Sequence, residues 1–175
     1  ERKPGTDEQM KKILFSILGG LVVGALGGFV IGIFVYPYIF PPAPAVEQVV
    51  DRSAKTLVAG GTFIHANPSD PIHFGQGSVE ILRDAAGALE VHLKQDFKVG
   101  PGPRFHVFLA DRADITTSDQ FEQSKVTDLG MLRSFEGSQV FKIPAEVELA
   151  SVKSVVVWCK EFGVLISPAT LKTGA

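Results

Sequence analysis

The 175-residue chain holds one cysteine, Cys159, four histidines (His65, His73, His92 and His106) and two methionines, Met10 and Met131. Cys159, the four histidines and Met131 are the candidates to form a reactive thiolate, bind a soft metal or move a proton. A single cysteine excludes an intrachain disulfide. In Val155-Val156-Val157-Trp158-Cys159, an extended backbone puts Val155, Val157 and Cys159 on one face and Val156 and Trp158 on the other. Both faces are apolar, so a central strand covered on two sides is expected. Cys159 is then either a small core hydrophobe or a functional thiol beside Trp158, and these two residues are the redox candidates.

Most of the larger chemistries fail on spacing. A blue-copper centre would combine two histidines, the cysteine and a weak methionine, but neither a histidine nor a methionine follows Cys159. No C-x-x-C-H occurs, so covalent haem is excluded. Noncovalent haem held by the Cys159 thiolate stays open, and so does a bare redox thiol. The cofactor is therefore unassigned, with His73 and His106 as the possible further ligands. Zinc would need Cys159 and three histidines, and no close-spaced pair supports it, so no metal is expected. No G-x-S-x-G elbow is present. Gly75-Gln76-Gly77 is too short for a dinucleotide loop. His73 with Asp70 or Asp96 and a serine is only a loose set of common residues, so no catalytic residues are expected. With 17 basic against 19 acidic residues and a net charge of -2, nucleic acid is not an expected partner.

The elements that must carry Cys159 and the histidines are strands. Alternating patterns predict them at residues 61–65, 78–83, 88–94, 104–110, 126–132, 139–143, 154–159 and 162–166. Asp84-Ala85-Ala86-Gly87 reads as a turn between two of them, and residues 101–103 and 134–137 break others. Short strands with no long helix between them imply a mainly β fold, an antiparallel β-sandwich or barrel, and exclude a parallel α/β fold.

Ahead of the strands lies a different kind of sequence. Residues 13–46 contain no charge, and Ile13 to Tyr36 as a helix would rise about 36 Å, enough to cross a hydrocarbon core of about 30 Å. Tyr36 and Tyr38 sit where interfacial rings are favoured. Pro37, Pro41, Pro42 and Pro44 are expected to end the helix. Ala43-Pro44-Ala45 resembles a signal peptidase site, but the apolar tract is far longer than the usual 7 to 15 residues, so an uncleaved anchor is expected. Arg2, Lys3, Lys11 and Lys12 before the span place the N-terminus in the cytoplasm, and the C-terminal domain in the periplasm or outside a bacterial inner membrane. The chain starts at Glu1, so an earlier or processed N-terminus is expected. Gly20, Gly24, Gly28 and Gly32 recur every four residues and form one slowly winding groove, with Gly19 and Gly27 alongside. Such a groove lets another helix approach closely, either from a second copy or from a different protein. The expected organisation is a tail at 1–12, a span at 13–36, a proline-rich linker with a short amphipathic helix at 37–56, and a β-domain at 57–175.

Taken in order, the motifs of that domain resemble the electron transfer DM-thirteen family. They are Gly61-Thr62-Phe63, His73-Phe74-Gly75-Gln76-Gly77, Asp96-Phe97-Lys98-Val99 leading through Gly100-Pro101-Gly102-Pro103 into Arg104-Phe105-His106-Val107-Phe108-Leu109, then Asp128-Leu129-Gly130, Gly137-Ser138-Gln139 before Ile143-Pro144, and Ser154 to Lys160 with Phe162 and Val164. The resemblance covers roughly residues 57–171. It implies a near-invariant cysteine at Cys159, acting as a bare thiol or as a prosthetic-group ligand. The chain departs from the family around Gly100 to Arg104, where the family tends to have Gly-Pro-Asp.

Two functions of different class follow. In the first, the chain is an accessory subunit whose glycine groove docks on a respiratory or photosynthetic membrane complex while the β-domain braces its outer face. In the second, the domain itself carries electrons through Cys159, alone or with a bound group. The bilayer is a partner in both, and an enzymatic role is not expected in either.

Overall fold

The computed structural model describes residues 5–173. Arg2 and Lys3, and the last two residues of the expected β-domain, lie outside the described residues. The chain divides into two compact units, residues 1–39 and 40–175.

The first unit is one helix, α1 (Thr6–Ile39). Its residues 7–33 are long and apolar enough to cross a membrane, with a mean hydropathy of 2.3, and its described side chains are exposed on nearly every side. A signal sequence near the N-terminus can pass the same test. The helix does not stop at Pro37 as expected but runs two residues past it. Proline in a last turn forfeits one backbone hydrogen bond, whereas Pro41 bars the preceding Phe40 from helical geometry, and the helix ends there.

The second unit is built of strands: β1 (Ala45–Val46), β2 (Thr56–Thr62), β3 (Gly75–Gln76), β4 (Ser78–Arg83), β5 (Leu89–Leu93), β6 (Lys98–Val99), β7 (Phe105–Ala110), β8 (Val126–Met131), β9 (Gly137–Ile143), β10 (Ser154–Cys159), β11 (Val164–Thr170) and β12 (Lys172–Thr173), with one short helix, α2 (Ser118–Glu122). A six-stranded sheet runs β1-β9-β5-β4-β2-β12, a four-stranded sheet β11-β10-β7-β8, and β3 pairs with β6. Every pairing between these strands is antiparallel except β1 with β9. No closed barrel forms among the described residues. The two larger sheets instead bury their facing sides in one cluster, with Val79, Ile81, Val91, Leu93 and Phe141 from one and Phe105, Val107, Leu109, Val155, Val157 and Cys159 from the other. The turn expected at Asp84 is present: the Asp84 carboxylate accepts from the N–H groups of Ala86 and Ala88.

The outer face of the four-stranded sheet is also buried. Phe108, Val156, Trp158 and Leu165 pack there under Ile115 and Phe121. Phe121 comes from α2, whose first turn is capped by the Thr117 side chain accepting from Gln120 N–H, and it stacks on Trp158 with ring centroids 4.3 Å apart.

The short amphipathic helix expected within 37–56 is absent among the described residues. Ala45–Val46 form β1, residues 45–50 alternate between half-buried and exposed, and Arg52–Ala54 form a single 3-10 turn. Glu47 dictates this. Its carboxylate pairs with the Arg133 guanidinium and accepts from Val140 N–H at 2.8 Å, while its backbone exchanges hydrogen bonds with Ser138. A helix could not present backbone and side chain to one strand in that way. Gly137 is the residue that lets β1 lie so close: its φ is 86°, and a Cβ there would strike the Ala45 carbonyl oxygen. Gly137→Ala should therefore unseat β1 and destabilise the second unit by roughly 2 kcal/mol or more, measured as a lower urea midpoint of the full-length protein in detergent followed through Trp158 fluorescence.

Candidate functional site

Alternation along β10 decides where the redox candidates sit. Val155, Val157 and Cys159 point into the core between the sheets, while Val156 and Trp158 point into the outer cluster. Cys159 is 2% exposed and unpaired. Its thiol donates to the Pro103 carbonyl at 3.3 Å. Trp158 is buried as well and stacked on Phe121.

The candidate ligands lie elsewhere. His106 is opposite Trp158 on the neighbouring strand, while Phe105 is opposite Cys159. His106 therefore shares the outer face with Trp158. Its Nδ1 faces both oxygens of Asp128, at 2.9 and 3.0 Å, and Lys160 Nζ donates to the same carboxylate at 2.9 Å. Burial works against the Asp128 charge, but the His106, Lys160 and Gly130 donors outweigh it and hold its pKa below the usual carboxylate value. His73 sits in the loop before β3 with Nδ1 2.7 Å from Asp70 Oδ2. Asp70 also accepts from the N–H groups of Ile72 and His73, and the His73 side chain foremost pulls its pKa down to about 2. No group of three or more His, Cys, Asp or Glu side chains arranged to hold a metal occurs among the described residues. The structure thus brings His106 beside Trp158 and joins neither candidate ligand to Cys159.

The β1 side of the six-stranded sheet holds a polar cluster around His92 that sequence spacing does not reveal. Ser138 Oγ donates to the Glu47 carbonyl at 2.6 Å, so it must accept from His92 Nε2 at 2.9 Å. That leaves His92 Nδ1 bare, buried and 3.7 Å from Glu80 Oε2. Burial pushes the His92 pKa down, against the opposing pull of the Glu80 charge. Only pairing of β5 with β9, a long-range fact, brings His92 to Ser138.

A family model described as Electron transfer DM13 matches residues 69–171, more than half of the chain. Searches of curated proteins and of solved structures found no match.

These directions fix a pH dependence. Because the fold lowers the His92 pKa, its contribution is complete above the ordinary value of about 6.5 and is lost as pH falls through that value toward the folded one. Asp70, lowered from 3.8 to about 2, contributes above pH 4 and is lost between those two values. Wild-type urea midpoints should fall between pH 7 and pH 5.5, and His92→Gln should flatten that decline while leaving the drop below pH 4 in place.

Proposed function

The chain belongs to the electron transfer DM13 family, and on that footing we propose that it is a membrane-anchored accessory subunit of a respiratory or photosynthetic electron-transport complex. In this reading α1 crosses the inner membrane of a bacterium from a cytoplasmic N-terminus, and the β-domain braces the outer face of the complex from the periplasm. The observation that carries the reading is α1 itself, an apolar rod with Gly20, Gly24, Gly28 and Gly32 in one register and open space beside each of them. A glycine in a helix costs roughly 1 kcal/mol relative to alanine, and close packing against another helix is what offsets a run of them.

Two further observations support it. Cleavage after Ala45 would sever β1, whose Ala45 N–H bonds the Glu136 carbonyl at 2.8 Å, so retention of the anchor suits the fold better than removal. Lys11 and Lys12 precede the apolar stretch, in keeping with the positive-inside rule. The organisation we propose is a tail at 1–12, a span at 13–36, a linker at 37–56 and a β-domain at 57–175, with the second half of the linker bound onto the domain.

A second reading, electron transfer through Cys159 as a thiol or as a ligand to a prosthetic group such as haem, is favoured by one feature. The sulfur lies at the end of β10, with the Pro103 carbonyl as its hydrogen-bond partner. Its burial, with Phe105 as the residue opposite it on β7, makes bracing the better fit.

Gly24→Leu combined with Gly28→Leu should release the protein from the complex it co-purifies with, while Trp158 fluorescence stays native. Equal recovery of partners with wild type and double variant would remove the docking role. A Soret band in the purified protein would replace bracing with the second reading.

A further inference from the structure

The outer face of the four-stranded sheet, opposite to the face that holds Cys159, carries an imidazole and a thioether side by side. His106 on β7 and Met131 on β8 are direct partners in the ladder, and such partners hold their Cβ atoms about 4.5–5.5 Å apart. The register shifts beside Val107, opposite Gly130 with its φ of 115°. That irregularity lets Asp128 and Met131 both face His106 while Leu129 packs into the core. Met131 is 57% exposed, which is unusual for an apolar side chain beside a buried strand.

The proton inventory fixes the His106 ring. Asp128 accepts from Gly130 N–H and from Lys160. A carboxylate so surrounded is ionised and can only accept, so His106 Nδ1 donates to it. In the neutral ring Nε2 then carries the bare lone pair. No protein donor reaches Nε2 among the described residues, and it is not among the enclosed orphan atoms. A carboxylate behind an imidazole is how metal-ligating histidines are commonly oriented. Thioether sulfur selects soft metals, and imidazole accepts copper. Lys160 balances the charge of Asp128, so the face offers no surplus of negative charge to a hard divalent ion.

We infer that His106 Nε2 and Met131 Sδ form a surface site for monovalent copper, with Asp128 as its positioning residue. Cys159 takes no part, because it faces the opposite side of the sheet, and the site does not depend on the subunit reading.

The test is an anaerobic competition between full-length protein in detergent and the coloured complex of Cu(I) with bathocuproine disulfonate. Wild type should withdraw one Cu(I) per chain. His106→Ala and Met131→Leu should each weaken binding at least about tenfold, and Asp128→Asn by about 10- to 100-fold. Cys159→Ser should bind as wild type does, and Zn(II) should not displace the copper. Trp158 fluorescence checks folding, and if His106→Ala fails to fold, Met131→Leu and His106→Gln carry the decision. Failure of the wild type to compete, binding that survives loss of both His106 and Met131, or binding that vanishes with Cys159→Ser would each overturn the proposal.

Discussion

The constraint on which the rest of the second unit depends is that β10 must be covered on both faces. An ordinary half-buried strand shows one apolar face; here Val155, Val157 and Cys159 fill the space between the sheets while Val156 and Trp158 need cover of their own. Each buried valine contributes on the order of 1.5 to 3 kcal/mol relative to exposure, and truncating a buried tryptophan costs about 3 to 5 kcal/mol. The short helix α2 and the chain leading to it supply that cover through Phe121 and Ile115. Cys159, the last residue of that strand, is packed in the core with its thiol donating to the Pro103 carbonyl.

The two larger sheets each carry a polar chain of their own. Toward β8, His106, Asp128 and Lys160 form a chain of charge-assisted hydrogen bonds on the surface. Toward β1, on the other sheet, Glu47, Ser138 and His92 form a chain that fastens the segment following the apolar helix. The linker is thus no free tether from Ala45 onward. It is an edge strand, held by backbone pairing and by the Glu47 carboxylate on Arg133.

Much of this was legible in the residues. The strands carrying Cys159, His106 and the core alternate clearly enough to be read, and the double-faced burial of β10 follows from five consecutive side chains. The family resemblance rested on those same strands and agrees with the matched segment. What escaped the reading was set by distant partners. Val46, Val49 and Val50 have helical spacing, but β9 offers a backbone edge and Arg133 a charge, and pairing outweighs propensity. Pro37 looked like a stop, although a proline in a final turn loses little. His106 reads as a ligand from its type alone, yet its link to Asp128 depends on the irregularity at Gly130, and the link of His92 to Ser138 spans 46 positions.

Burial of Cys159 in the folded β-domain is the property most directly open to measurement. Labelling the full-length protein with a chromogenic disulfide reagent across a urea series tests it. The sulfur should resist reaction in native buffer and become reactive only in step with loss of the Trp158 fluorescence signal. Complete labelling of the folded protein within the mixing time would contradict the account.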